Sequence, residues 1–235
     1  ATAARLEWPR GTRFTLHAPA GTRTVSVRLI GRPGVSAILA AVAAALAEGE
    51  DLDRVLARLA VLEPTPGRLQ PVSLPSGVVL LQDDAKGPEE TIEAALDVLA
   101  EIPASRRVVV LGDVAEPVGP TGDVYRRLGA RVAQVATTAV FVGTHQVTAY
   151  RAGAVSAGLD PSAIILARDV REAWTALEAP YDVALARWRE AEAVLSAGDG
   201  RAGRTQAQQP LLAAVELAIG LGAVPLLREL AELAG

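Results

Sequence analysis

The chain has 235 residues, a formal net charge of −4 and an apolar fraction of 50%, ample for one large core or two small ones without covalent staples. It has no cysteine and 2 histidines far apart in sequence, which argues against a disulfide framework and against any Cys- or His-based metal site. Arginines are scattered with no basic stripe, so nucleic acid is not expected as a partner, and the longest wholly apolar run, residues 37–47, falls short of the about 20 residues a membrane span needs.

Residues 12–17 and 23–30 alternate polar and apolar side chains around Ala18-Pro19-Ala20-Gly21, which predicts an antiparallel hairpin with a loop of four or five residues, and places His17 at a strand end on the surface. From Gly34 the period lengthens. Val35, Ile38, Leu39, Val42 and Leu46 line one face of a helix that Gly49 ends, and Asp51 caps a second helix with Leu52, Val55, Leu56 and Leu59 on its buried side. The run Glu63-Pro64-Thr65-Pro66-Gly67 breaks this helical hairpin and delivers Arg68 to a strand over 69–74, and a turn at 75–77 leads on to another strand.

Residues 78–102 carry the densest functional signal. Val78 to Leu81 form a continuous apolar run, as a strand covered on both faces requires, and Ile92, Ala95, Leu96 and Leu99 recur at helical spacing. Pro88 suits the first helical turn, where Glu89, Glu90 and Glu93 complement the helix dipole. Between strand and helix lie Asp83, Asp84 and Lys86, the last being the sole lysine of the chain. A lysine kept at the carboxyl end of a strand, where α/β ligands bind, is either ligand-facing or one half of a solvated ion pair.

Strand and helix then alternate: a strand over 107–111 ending in Gly112-Asp113, a helix over 125–136, a strand over 139–142 ending in Gly143-Thr144-His145, a helix over 147–157, a strand over 163–166, and a helix over 170–177 capped by Asp169. That order predicts an α/β fold: a Rossmann-like parallel sheet with flanking helices and right-handed crossovers, preceded by the β-hairpin and helical hairpin. Ligand chemistry is expected at the strand ends, at Asp83, Asp84, Lys86, Gly112, Asp113 and residues 143–145. Asp113 either approaches a substrate amine or caps its loop, and His145 either touches a ligand or starts a helix with Thr144 as N-cap.

Beyond Pro180 the pattern is all helix, with segments 181–196, 208–221 and 224–233 separated by glycine-rich breaks at 198–203 and 220–222. Residues 186–195 resemble a tetratricopeptide-type helix, with a helical cap on the α/β unit as the simpler alternative. The expected division is 1–62, 63–179 and 180–235. Methionine is absent, even from position 1, so a missing N-terminal portion is expected; the residues from Ala1 onwards are mixed and charged and carry no signal-peptide pattern.

The succession Gly31-Arg32 opening an alanine-rich helix, Pro66-Gly67-Arg68, Asp83-Asp84-Ala85-Lys86-Gly87-Pro88 and Val110-Leu111-Gly112-Asp113 resembles the Mur ligase family, ATP-dependent amide-forming enzymes of peptidoglycan biosynthesis. The resemblance runs from residue 32 to about 177 and covers the end of the family's central domain and its Rossmann-like C-terminal domain. It implies nucleotide contacts from Asp83, at the ribose, from Arg68 and from Lys86, and substrate contacts from Asp84, Asp113 and His145. It also implies ATP and magnesium as cofactors, a nucleotide and an amino acid or peptide as substrates, and a cytoplasmic enzyme.

The departures are chemical. Pro33, Gly34 and Ala37 stand where the family's helix begins with His-Asn and carries a second asparagine at the adenine, the chain has no asparagine, and no glycine-rich phosphate loop ending in Lys-Ser or Lys-Thr occurs. Acyl-phosphate chemistry needs the phosphates and magnesium held in line with a carboxylate, which an aspartate and an arginine at the ribose do not supply. The chain alone is therefore expected to be inactive, completed by a missing N-terminal ATPase domain or a partner protein. The alternative is a degenerate Mur-ligase-like unit serving as an interaction or regulatory module.

Overall fold

The computed structural model describes residues 1–74, 77–177, 180–197, 201–220 and 223–234, so the turn predicted at 75–77 and the breaks at 198–203 and 220–222 lie partly outside the described residues. The chain divides into two compact units. The first comprises Ala1–Val108, Asp113–Thr137 and Ala149–Leu159, and the second Val109–Gly112, Thr138–Thr148 and Asp160–Gly235.

In the first unit, strands β1 (Thr2–Glu7), β2 (Gly11–Ala18) and β3 (Gly21–Val27) form an antiparallel meander. Two details differ from expectation: β1 was not anticipated, and Ala18 pairs directly with Gly21, so only Pro19 and Ala20 form the loop. The alternation of β2 and β3 decides which face is buried. Phe14, Leu16, Val25 and Val27 point inward and meet Val35, Ile38 and Val42 of α1 (Gly31–Ala47) and Leu52 of α2 (Leu52–Leu59), each worth roughly 1.5–3 kcal/mol on burial. Buried Thr12 accepts the Gly31 N–H at 2.9 Å, tying β2 to the start of α1, and Asp51 accepts the Arg54 N–H at 2.9 Å as the N-cap of α2.

Strands β4 (Gln70–Ser73) and β5 (Val79–Gln82) pair antiparallel in a two-stranded ribbon of their own. The apolar run predicted as a strand over 78–81 is thus a strand shifted by one residue, but not a member of the parallel sheet; its side chains are half-buried rather than covered on both faces, and Val78 before it is exposed. Helix α3 (Glu89–Glu101) follows, with Pro88 at the cap position instead of inside the first turn. Helix α4 (Thr121–Ala133) starts four residues before the expected position because the chain turns helical directly after Pro120. It crosses α5 (Val147–Ser156) very closely: a Cβ on Gly129 would collide with the Tyr150 carbonyl, and one on Gly153 with the Arg126 carbonyl. Only glycine permits that approach.

The second unit contains the three-stranded sheet in the order β6 (Val108–Leu111), β7 (Thr138–Val142), β8 (Ile164–Ala167), with β7 and β8 parallel in the register Ala139↔Ile164 to Val142↔Ala167. Val140, Val142, Ala167 and Ala173 form its core, the last from α6 (Val170–Ala176), which Asp169 caps by accepting the Glu172 N–H at 2.8 Å. Helices α7 (Pro180–Ala197), α8 (Arg201–Gly220) and α9 (Val224–Ala234) build a separate core of Ala184, Ala214, Ala218, Ala223, Leu226 and Leu230. The helix expected over 208–221 begins at Arg201 and continues through Pro210. Among the described residues no helix is long and apolar enough to cross a membrane.

Candidate functional site

Two turns of the first unit are bonded to each other. The chain reverses at Pro66-Gly67-Arg68-Leu69 with Gly67 at φ 68° and Leu69 at φ 44°. A leucine in the left-handed region is strained and must be held by its surroundings. The holding group is Asp83, whose Oδ1 accepts the Leu69 N–H at 3.1 Å. In return the Ala85 N–H donates to the Gly67 carbonyl at 3.0 Å, and Arg68 Nη1 donates to the Lys86 carbonyl at 2.8 Å. Glycine is needed at 67, because a Cβ there would lie 2.6 Å from Asp84 Oδ1 in addition to requiring that φ.

Asp83, Arg68 and Lys86 are thereby brought together, with Asp83 and Arg68 half-buried and Lys86 exposed. Burial raises the Asp83 carboxyl above its ordinary range, and Asp84 adds to this, against the Leu69 hydrogen bond and the Arg68 charge, which both lower it. Asp84 is exposed, and both of its carboxylate oxygens accept from Gln82 Nε2 at 3.0 Å.

The loop after β6 docks on the same turn. The Ala115 N–H donates to the Gly87 carbonyl at 2.8 Å, and Lys86 Nζ lies 3.3 Å from Glu116 Oε1. Asp113 is exposed on this loop, 3.4 Å from the Tyr125 hydroxyl, which also accepts the Val114 N–H at 2.9 Å. Burial raises the Tyr125 hydroxyl above its usual range, so it stays protonated. His145 belongs to the second unit; it is exposed, its Nδ1 2.9 Å from Thr144 Oγ1, and α5 begins at Val147, so Thr144 is not the N-cap that the sequence suggested.

Glu116, Tyr125 and Gln82 were missed. Glu116 carried a usable signal as a carboxylate three residues beyond Asp113, and Tyr125 is one of only 3 tyrosines in a chain poor in aromatics. Among the described residues no group of three or more His, Cys, Asp or Glu side chains is arranged to hold a metal ion. Chemically the paired turns offer a half-buried carboxylate with one oxygen committed, a guanidinium fixed beside it, and an ammonium in an exposed ion pair.

The family model described as "Mur ligase, glutamate ligase domain" matches residues 67–200, more than half of the chain, and its first matched residue is the glycine of the turn just described. The chain belongs to the Mur ligase family. It is 42% identical over 106 residues to the UDP-N-acetylmuramoyl-tripeptide–D-alanyl-D-alanine ligase of Escherichia coli (strain K12), a match covering 45% of this chain and 23% of that enzyme. It is 36% identical over 102 residues to the UDP-N-acetylmuramoyl-L-alanyl-D-glutamate–2,6-diaminopimelate ligase of Geobacillus kaustophilus, covering 43% of this chain and 21% of the relative. The chain thus spans less than a quarter of the length of these curated relatives.

Among solved structures, MurF from Acinetobacter baumannii superposes with a TM-score of 0.65 at 26% identity over 75% of this chain and 37% of that one. The MurF ligase from Thermotoga maritima in complex with ADP covers 97% of this chain and 46% of its own at a TM-score of 0.58 and 16% identity, a likeness of fold alone. The expected family and fold class are therefore both met. The matched region extends past residue 177, where the sequence resemblance stopped, to include α7.

Proposed function

We propose that this chain is the C-terminal part of a Mur-like ATP-dependent amide ligase of the cytoplasm, divided at 1–62, 63–179 and 180–235. The observation that carries the reading is the bonded pair of turns, Asp83 to Leu69 and Arg68 to Lys86, at the start of a matched Mur ligase domain. Asp83 and Arg68 would face the nucleotide ribose: the free carboxylate oxygen suits a hydroxyl donor, and Arg68 lends positive charge without moving. Lys86 would exchange Glu116 for an anionic ligand group. Asp84, Asp113 and His145 would meet the amino-acid or peptide substrate.

The residues present fit the ribose end of ATP and not its phosphates. A phosphate-loop domain elsewhere in the protein, or on a partner, would hold the phosphates and magnesium, which together activate the carboxylate as an acyl phosphate. This chain would then align the second substrate, a contribution of positioning rather than bond-making. Relatives named as ligases of UDP-N-acetylmuramoyl peptides suggest a peptidoglycan precursor as the acceptor.

The test is an ATP titration in a full-length ligase carrying this chain, comparing wild type with Asp83→Ala and Lys86→Ala. If a ligand and a closing domain desolvate Lys86, its loss should weaken binding by on the order of 2–5 kcal/mol. Wild-type affinity in both variants would remove these residues from the site. The isolated chain should hydrolyse no ATP above background; magnesium-dependent turnover abolished by Asp83→Ala would overturn the reading.

A second reading, an interaction or regulatory module, is favoured by the last helices. Residues Leu212 and Ile219 are 54% and 64% exposed, and their spacing of two helical turns puts them on one face of α8, beyond the matched region. A ligase with residues 201–235 removed that keeps full activity and loses a bound protein partner would support it.

A further inference from the structure

The outer face of the meander carries charge that the ligase reading does not use. Arg5 on β1 pairs directly opposite Arg13 on β2, which in turn pairs opposite Ser26 on β3. Like charges in that position repel and cost stability. Arg10, in the turn between β1 and β2, and Arg28, just after β3, join Arg13 and Ser26 around an open concavity of about 410 Å³, lined by these four with Glu7, Val27 and Ala60. Three arginines thus face one glutamate in a chain whose net charge is −4.

The cations are only partly answered. Arg13 Nη1 lies 3.6 Å from Glu7, Arg13 Nε donates to Ser26 Oγ at 3.3 Å, and Arg28 pairs with Glu63 at the rim. Arg5 and Arg10 have no side-chain partner among the described residues. Exposed ion pairs of this kind contribute little and open easily, so the guanidinium forks are available to a better acceptor.

We propose that this concavity binds a small ligand bearing two or more negative charges, of the phosphate-ester or diphosphate class. Guanidinium groups match phosphate oxygens with two parallel hydrogen bonds, and several converging on one anionic ligand replace their mutual repulsion with attraction to it. The Ser26 hydroxyl adds a donor. A confined concavity on one small sheet suits a small anion better than a nucleic acid, which needs an extended basic track. The site stands independently of the ligase reading and of the turns at Asp83 and Arg68.

The experiment is calorimetric titration of the full chain with inorganic pyrophosphate, with inorganic phosphate at matched ionic strength as comparison. Saturable binding tighter for pyrophosphate than for phosphate is expected, weakened at least about tenfold in the Arg10→Gln/Arg28→Gln double variant with an unchanged melting temperature. Arg13→Gln should also weaken binding without lowering the melting temperature, because losing the Glu7 pair is offset by relief from Arg5. Equal affinity for phosphate and pyrophosphate, or pyrophosphate binding that survives the double substitution, would overturn the proposal. A single-stranded oligonucleotide that binds more tightly than pyrophosphate would overturn it too.

Discussion

Strands β5 and β7 arise from apolar runs that look alike in sequence and end in different environments. Ala139, Val140 and Phe141 of β7 have 0% exposure, whereas every residue of β5 is half-buried and Val78 just before it is 52% exposed. The difference lies in the neighbours. Strand β7 sits between β6 and β8, while β5 pairs with β4, whose Pro71 has no N–H to give and marks an edge strand. The turn after β5 is therefore held less by apolar packing than by polar bonds: Asp83 to Leu69, Arg68 to the Lys86 carbonyl, and Ala115 to Gly87.

The largest effect should come from the buried strand. Phe141→Ala should cost about 3–5 kcal/mol in chemical denaturation, and Leu80→Ala in β5 less than half of that. Equal costs would show that β5 is as central as β7 and break the contrast. Next, Asp83→Ala should cost about 1–3 kcal/mol, since it orphans the Leu69 N–H of a strained turn. Amide exchange at Leu69 should accelerate with it, and an unchanged exchange rate would mean that packing, not the carboxylate, holds the turn.

The same residue makes stability depend on pH. Because burial raises the Asp83 carboxyl, the folded state holds its proton more tightly than the unfolded chain does. Its contribution is then fully present below the unfolded value and is lost as the pH rises through the folded one, leaving an ionised carboxylate that costs stability at neutral pH. Asp83→Asn keeps an acceptor for Leu69 and cannot ionise. Relative to wild type it should gain stability between about pH 3 and about pH 7, and a flat or falling difference would contradict the raised value.

The smallest effect belongs to Lys86. Its pair with Glu116 spans 3.3 Å between side chains 54% and 83% exposed, so a double-mutant cycle with both residues changed to alanine should give a coupling of about 0–1 kcal/mol. A larger coupling would mean that the two loops depend on this pair as well as on the Ala115 to Gly87 bond.

Much of this protein was legible in one dimension because its signals are local. Periodicity located the hairpin strands and helices α1 to α3, Asp51 and Asp169 announced the caps of α2 and α6, and the ordered motifs from Pro66-Gly67-Arg68 to Gly112-Asp113 pointed to the Mur ligase family. Each depends on residues a few positions apart, which share a turn, a face or a cap whatever the rest of the chain does. Pairing partners are a different matter. That β5 would join β4, that Asp83 would hold Leu69, that Glu116 would reach Lys86 from 30 residues away and that Tyr125 would tie down the loop at Asp113 followed from chain reversals that no local pattern encodes. An apolar run reports that a segment leaves water; only the packed fold decides which neighbour it meets there, and with it which side chains converge on a site.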